Sequence, residues 1–345
     1  MGIVFKRLKK IISRPSIAID LGTANTRIFS SDSGQIKEKP STVRPPDVSE
    51  NNSFSSDYIS YLNSKISYNP LRGGVIVDIY NAINLLKPLL KETRKGFRPP
   101  VSLASAPTDT TPKERELLIK AILEAGASRV AIIPEVWAAA IGSGIDVTSE
   151  TAQVLIDIGE GVTDFAVIRD SQLIYTAALR TACSDLQKAV RSAIVSRYKM
   201  YVCRKEIEHL TNTISSIATD ESHNSGEITI QGNDIFKGNE ATALIIRNDI
   251  ARAMEPVIKR ILNMVESNIK RLPGSIYDEI TDSGICLTGG GALISGIDKL
   301  IKSRLKIDVR IAPEPTRSVV KGEIETLNYW EGHKKWWENI FWPDI

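Results

Sequence analysis

The chain has 345 residues, long enough for two domains, and its 25% charged and 42% hydrophobic residues are ordinary for a globular protein. A net charge of +3 is too small to mark a nucleic-acid footprint, so no nucleic-acid partner is expected. Cys183, Cys203 and Cys286 have no paired spacing or neighbouring His cluster, which suits a reducing cytosol and argues against structural zinc; no apolar run nears the roughly 18 residues of a spanning helix, and no secretory signal is expected.

In residues 3–12, Val4, Phe5, Leu8, Ile11 and Ile12 share one helical face, and Lys6, Arg7, Lys9 and Lys10 take the other. Such a helix lies in a lipid interface, where apolar burial and attraction to anionic headgroups add. The plain alternative is a terminal helix packed on the body. Pro15 leads into Ile17-Ala18-Ile19-Asp20-Leu21-Gly22-Thr23-Ala24-Asn25-Thr26, a buried strand, a tight turn and a second strand. Gly22 lets the backbone bend closely. Thr23, Ala24 and Asn25 are small, so their amides can point at an anion as a nest. Asp20, at the strand end, can hold a metal hydrate beside that anion.

Residues 44–57 have a loop composition, and Asn69-Pro70-Leu71-Arg72-Gly73-Gly74 is a turn. Ile79, Ile83, Leu86 and Leu90 repeat at helical spacing, with Pro88 expected to bend or shorten that helix. A buried strand over Val101–Ala106 follows. Thr111 and Pro112 then open a helix as N-cap and first residue, and Glu114 complements its dipole. A strand at 129–133 precedes an Ala-rich helix at 135–141.

Leu155-Ile156-Asp157-Ile158-Gly159-Glu160-Gly161-Val162-Thr163-Asp164-Phe165 repeats the plan of the first turn. The shared pattern is Ile-Asp-(Leu/Ile)-Gly-x-x-x-Thr, and a duplicated strand–turn–strand predicts two similar halves, each offering a phosphate loop. Strands at 165–169 and 173–179 come next, then helices around Leu186, Val190 and Ile194 and through 204–217. Polar loops at 219–226 and 231–240 flank a strand at 227–230. Ile246, Ile250, Met254, Val257, Ile258, Ile261 and Val265 form the longest apolar stripe, read as core. A strand at 285–287 enters a third turn, Leu287-Thr288-Gly289-Gly290-Gly291-Ala292-Leu293, followed by a helix at 293–305 and a strand at 308–311. The tail carries Tyr329, Trp330, Trp336, Trp337, Phe341 and Trp342 around Lys334 and Lys335. It reads either as an interfacial segment or as one that packs on the first domain or binds a protein partner. Strands alternating with helices argue for α/β layers with ligands at the strands' carboxyl ends.

These turns resemble those of the actin, sugar-kinase and heat-shock-chaperone ATPase superfamily, and more closely those of the MreB-like bacterial actins. The residues that carry the resemblance are Asp20-Leu21-Gly22-Thr23-Ala24-Asn25-Thr26, Pro70-Leu71 with Gly74-Val75-Ile76 and Asp78, Ala138-Ala139-Ala140-Ile141-Gly142, and Leu287 to Leu293. The resemblance covers roughly residues 16 to 322. It implies an actin-like ATPase fold, with two similar α/β domains (duplicated ribonuclease-H-like cores) around a nucleotide cleft. It places domain I at 15–154 and 310–328 and domain II at 155–309, between a membrane-binding segment at 1–14 and an aromatic tail at 329–345.

The resemblance also implies ATP and Mg2+ as cofactors, with Asp20 and Asp157 on the metal. Gly22, Thr23, Ala24, Asn25, Gly159, Glu160, Gly161, Gly289, Gly290, Gly291 and Ala292 would lie on the nucleotide. Glu114 would orient attacking water, with Thr163 beside it. The chain departs from the family in three places. The second turn is usually Asp-x-Gly-Gly-Gly-Thr-Thr, and here Glu160 replaces a Gly and Val162 the first Thr. A Glu beside phosphates is unfavourable unless it turns outward or a metal intervenes, and Val162 lacks the hydroxyl that helps position water. Arg180-Thr181-Ala182-Cys183-Ser184 stands where relatives have a Gly-Gly-Asp turn near the ribose, and Lys205, Glu206 and Glu208 alter the charge order of the helix that reads the nucleoside.

The implied function is an ATP-binding cytoskeletal filament at the inner face of the cell membrane, in cell-shape maintenance or organisation of wall synthesis, with slow ATPase activity if any. Its partners would be further copies of itself, the membrane surface and membrane proteins there. Alternatives are an organelle-positioning filament of the MamK type, a divergent scaffold with weak or lost ATPase, and a sugar kinase or heat-shock-type ATPase. The kinase reading needs a substrate base and longer domains. The chaperone reading needs a long substrate-binding part after residue 322, which is not expected here.

Overall fold

The computed structural model describes residues 15–43, 67–93, 98–214 and 226–330. The expected helix at 3–12, the loop at 44–57 and the tail beyond 330 lie outside the described residues. The chain divides into two units, one running to Ala138 and resuming at Val319, the other spanning Ala139–Ser318. The divisions fall inside or at the start of helices, whereas the sequence reading places them at 154/155 and 309/310.

In the first unit, β1 (Ser16–Leu21), β2 (Asn25–Ser30) and β3 (Gln35–Pro40) form an antiparallel meander. A small hairpin of β4 (Leu71–Arg72) and β5 (Val75–Ile76) leads to α1 (Ile79–Thr93). Then come β6 (Val101–Ala106), α2 (Pro112–Glu124), β7 (Arg129–Pro134) and α3 (Glu135–Gly142). The sheet order is β3-β2-β1-β6-β7, with β1, β6 and β7 parallel. Every residue of β6 is buried, as a strand covered on both faces requires. The edge strand β3 is charged and ends at Pro40, which blunts further pairing. Helix α1 runs through Pro88 to Thr93, so Pro88 does not shorten it. The ring removes one backbone bond, but Leu85, Leu86, Leu89 and Leu90 are buried on both sides of it. Each contributes roughly 1.5–3 kcal/mol of burial, enough to hold the helix together.

The second unit repeats this plan. Strands β8 (Gln153–Ile158), β9 (Thr163–Arg169) and β10 (Gln172–Leu179) form the meander, followed by α4 (Cys183–Ala193). A three-stranded sheet of β11 (Met200–Tyr201), β12 (Glu227–Asp234) and β13 (Glu240–Ile246) is inserted, with α5 (Arg204–Thr213) between its first two strands. Then follow α6 (Arg247–Ile269), α7 (Gly274–Ser283), β14 (Ile285–Thr288), α8 (Ile297–Leu305) and β15 (Val309–Ile311). The large sheet runs β10-β9-β8-β14-β15, with β8, β14 and β15 parallel. This is the order and sense of the first sheet, strand for strand. The stripe is core from Ile250 onward, where Ile250, Met254, Val257, Ile258, Ile261 and Val265 of α6 are all buried, but Ile246 ends β13 and is exposed.

The short strand β11 was not foreseen, α5 ends at Thr213 where the reading ran to 217, and three further second-unit elements differ from the sequence reading. Residues 231–240, read as loop, extend β12 and turn into β13, because outward-facing polar residues alternate with inward ones along the hairpin. Helix α7 was not foreseen. Helix α8 begins at Ile297 rather than 293, because Gly296 has φ +75° and breaks the chain between a short 3-10 turn at Gly290–Leu293 and the helix. Finally α9 (Ser318–Trp330) returns the chain to the first unit. There Gly322 lies so close to the Ala138 carbonyl that a Cβ would overlap it.

Candidate functional site

The first turn hangs from β1 and β2, closed by the Leu21–Thr26 pair. A Cβ on Gly22 would sit 2.8 Å from the Asn25 carbonyl, so glycine is required there. The turn's carbonyls are tied outward. Ser41 Oγ donates to Gly22 O (2.6 Å), Asn69 Nδ2 to Thr23 O (2.7 Å) and Ser41 N to Ala24 O (2.9 Å). The Gly74 amide donates to Thr23 Oγ1 (3.0 Å), and the hydroxyls of Thr26 and Ser41 meet at 2.8 Å. Among the described residues, the amides of Gly22, Thr23 and Ala24 donate to nothing. With its carbonyls held and its amides unengaged, the turn is built to receive an anion.

Beneath it lies a buried charge cluster. Arg27, opposite Asp20 in the β1–β2 register, reaches Asp20 Oδ2 with Nη1 and Glu38 Oε1 with Nη2, both at 2.9 Å. Burial pushes the Asp20 carboxyl above its ordinary value while Arg27 pulls it back. Glu323 of α9 belongs to the same cluster and is 0% exposed. Neither of its oxygens has a partner with good hydrogen-bond geometry, and the hydroxyl and amide of Ser105 lie close enough to draw its carboxyl part of the way back down. Burial first, then the Asp20 charge, hold Glu323 well above the carboxylate range. Glu114 lines a recess with Leu21, Gly74, Ser105 and Thr110, so the structure brings it to the first turn. Its carboxylate is engaged in a capping box, accepting from Thr111 N (2.7 Å) and Thr111 Oγ1 (2.9 Å).

The second turn follows β8, closed by the Ile158–Thr163 pair and by a Gly159 N–H bond to Val162 O (2.9 Å). Its carbonyls are again held from outside, here by the start of α4: Cys183 N donates to Gly159 O (3.2 Å) and Ser184 N to Glu160 O (2.8 Å). The Glu160 side chain leaves the turn for Arg204 Nη2 and Gln187 Nε2, each at 3.3 Å. Burial raises its carboxyl, Arg204 works against that, and Glu208 adds to it. The adjacent Cys183 thiol is driven far up by burial and then by Glu160, Asp157 and Glu208. Thr163 is buried with its hydroxyl donated to Thr181 O (2.8 Å), so it is not turned to the tip of the loop.

The third turn packs on the second. Thr288 pairs with Asp157 across β14 and β8. Gly289 has φ +79°, and a Cβ there would overlap Asp157 Oδ1 and Ile158 O; one on Gly291 would overlap the Ile158 side chain. Gly291 and Ala292 are buried, and Gly290 alone of the four predicted residues faces room for a side chain. The 3-10 turn here spans four residues.

Among the described residues, no group of three or more His, Cys, Asp or Glu could hold a metal by protein ligands alone. A hydrated Mg2+, which keeps much of its water, needs less. Asp157 fits that role: it is buried beside Thr288, whose hydroxyl has no partner, and the glycine at 289 keeps a side chain from overlapping its Oδ1. Asp20 fits less well, because Arg27 holds one of its oxygens.

The family model described as MreB/Mbl protein matches residues 14–335. The chain belongs to the MreB/Mbl family. It is 27% identical to the cell shape-determining protein MreB of Pasteurella multocida, covering 96% of this chain and 97% of that one. It is 28% identical to the cell shape-determining protein Mbl of Bacillus subtilis, over 89% and 93%. The crystal structure of MreB5 of Spiroplasma citri bound to AMPPNP superposes with a TM-score of 0.79 at 28% identity, over 93% of this chain and 99% of that one. The MamK double helical filament shares the fold, with a TM-score of 0.74 at 18% identity over 92% and 99%. The actin-like two-domain α/β fold and the bacterial-actin family expected from the turns are therefore borne out. No described helix is long and apolar enough to cross a membrane.

Sequence reasoning missed Ser41, Arg27, Arg204 and Glu323. For Glu323 a signal existed: it stands four residues from both Val319 and Leu327, on the buried face of α9. For Ser41 and Arg204 there was none, since their partners are set by long-range folding.

Proposed function

We propose that this MreB/Mbl chain binds ATP through its two phosphate turns and assembles into cytoskeletal filaments. The observation that carries the reading is the repeat in three dimensions. Two sheets of the same order each present an Asp-ended central strand and a turn with its carbonyls tied back. Turns of that kind offer amides to phosphate oxygens. MreB5 of Spiroplasma citri, with a similar fold and 28% identity, has been solved with AMPPNP and with ADP. Asp157 would hold a hydrated Mg2+, which neutralises phosphate charge when bound. Asp20 serves mainly as the partner of Arg27.

Hydrolysis is proposed to be slow. Water attack on a phosphoryl group needs an oriented nucleophile. Val162 has no hydroxyl, Thr163 donates its own to Thr181, and Glu114 is shared with its helix cap. Assembly would follow from a head-to-tail contact that does not close, as in open polymers generally; MamK, which shares the fold, has been solved as a double helical filament. The residue 3–12 segment would bring such filaments to an anionic membrane surface. Calorimetry with Mg-ATP tests the core of the reading, with electron microscopy and pelleting for the polymer. Binding below millimolar ATP and ATP-dependent pelleting are expected. No heat of binding at millimolar ATP would overturn the nucleotide reading, and a strictly monomeric protein at tens of micromolar would overturn the filament.

A further inference from the structure

The second phosphate turn contains an acidic residue, and a carboxylate there opposes the very ligand the turn is shaped for. The structure resolves this conflict within the unit. Glu160 keeps its backbone in the turn, where its carbonyl accepts from Ser184, while its side chain is carried to Arg204 and Gln187. The carboxylate is 16% exposed, and Arg204 is 47% exposed. Arg204 is the first residue of α5, and α5 is fixed by the buried Ile207, Leu210 and Thr211. The guanidinium therefore stands at a set place beside the turn. The nearby charges do not otherwise balance. Glu208 is a second carboxylate acting on Glu160, and the other nearby cation, Lys188, acts on Glu160 more weakly than Arg204 and pairs with Asp185.

We propose that Arg204 is a positioning residue for nucleotide binding, acting as the counter-ion that draws the Glu160 carboxylate away from the phosphates. This rests on the nucleotide reading above and adds to it the group that makes an acidic phosphate turn workable. Arg204 acts through Glu160, not by touching the nucleotide. Without Arg204, the Glu160 charge is left beside the turn with Gln187 as its hydrogen-bond partner and only the weaker pull of the exposed Lys188, and Mg-ATP meets repulsion. Without the Glu160 charge, Arg204 becomes dispensable.

The test is a double-mutant cycle on Mg-ATP affinity, measured by calorimetry on full-length protein, with thermal melts on each variant. Arg204→Ala is expected to weaken binding by about tenfold, the scale of a charge-assisted contact. Glu160→Gln alone should bind more tightly than the parent chain, because the charge that opposes the phosphates is gone. The double variant Glu160→Gln/Arg204→Ala should return to within about threefold of the parent, a coupling that a merely structural role would not produce. Added salt should narrow the gap between the parent and Arg204→Ala. Arg204→Gln, which keeps most of the side chain's length, replaces Arg204→Ala if the latter melts early. If the double variant stays as weak as Arg204→Ala, Arg204 contacts the nucleotide itself and the proposal fails. It fails equally if Arg204→Ala binds like the parent. Absence of binding by the parent chain sinks the nucleotide reading first, and that outcome is read before any variant is made.

Discussion

Replacing Glu323 by Gln should stabilise the protein at alkaline pH and do little in acid. The Glu323 side chain is fully buried in α9 and neither oxygen has a partner with good hydrogen-bond geometry. Burial and the nearby Asp20 charge hold its pKa well above the ordinary 4.5. Asp20, not Glu323, has the direct bond to Arg27, which favours the charge on Asp20 over the charge on Glu323. The native state thus binds the Glu323 proton more tightly than the unfolded chain does. Its contribution is fully present below the unfolded value of 4.5 and is lost as pH rises through the native value. Gln cannot ionise and removes that loss. Gln leaves buried polar atoms in the same place, so only the ionisation of Glu distinguishes the two; an unsatisfied buried group costs about 1–3 kcal/mol and more when charged, and the gain at pH 9 should be of about that order. For a domain of this size each kcal/mol moves Tm by roughly 2–4 °C. Melts of both proteins followed by circular dichroism between pH 5 and pH 9 would measure it. The curves should nearly coincide at pH 5 and separate as pH rises, with the variant higher. A variant that is less stable at pH 9 would mean that Glu323 is ionised and paired in the native state, and the reasoning would be wrong.

Gly289→Ala forces a side chain into a backbone region reserved for glycine and onto Asp157, costing about 1–3 kcal/mol from strain alone; melting and Mg-ATP affinity should both fall, while Gly290→Ala, with open room, leaves Tm in place. Gly322→Ala should lower stability by about 1–3 kcal/mol in a denaturant titration, since overlap with the Ala138 carbonyl outweighs the roughly 1 kcal/mol of helix propensity gained. Val162→Thr should raise phosphate release, and Glu114→Gln, which keeps the helix cap but removes the charge, should lower it; a fast parent rate insensitive to Glu114 would reject that assignment. Co-sedimentation with anionic liposomes should drop on deleting residues 2–12 and weaken with salt, each basic residue near the surface contributing roughly 1 kcal/mol; unchanged binding after that deletion, with loss on removing 329–345, would place the anchor at the other end.

The two five-stranded sheets, apart from the exposed edge strand β3, and all three turns were legible because a buried apolar strand that runs into Asp-x-Gly or Thr-Gly-Gly leaves the backbone few alternatives. The β12–β13 hairpin was not, because Thr229, Gln231 and Thr242 face outward and dilute its apolar half to a weak alternation. Helix α7 buries only Ile276 and Ile280, too short a stripe to register. At the site, residue types were readable but partners were not. Arg204 lies 44 residues from Glu160, and no local pattern announces that pairing. The two turns make the physical reason plain. Each holds its carbonyls outward, yet one does so with the Ser41 and Asn69 side chains and the Ser41 amide, the other with the first amides of α4. The repeat is therefore visible in the strand and turn residues and invisible in what braces them. The same division explains how an acidic residue can stand in the second turn. The proposed contact with phosphate belongs to the backbone, and α4 holds that backbone through the Gly159 and Glu160 carbonyls. The side chain then has only to find a cation, and Arg204 supplies it from a helix that is itself anchored by its buried face.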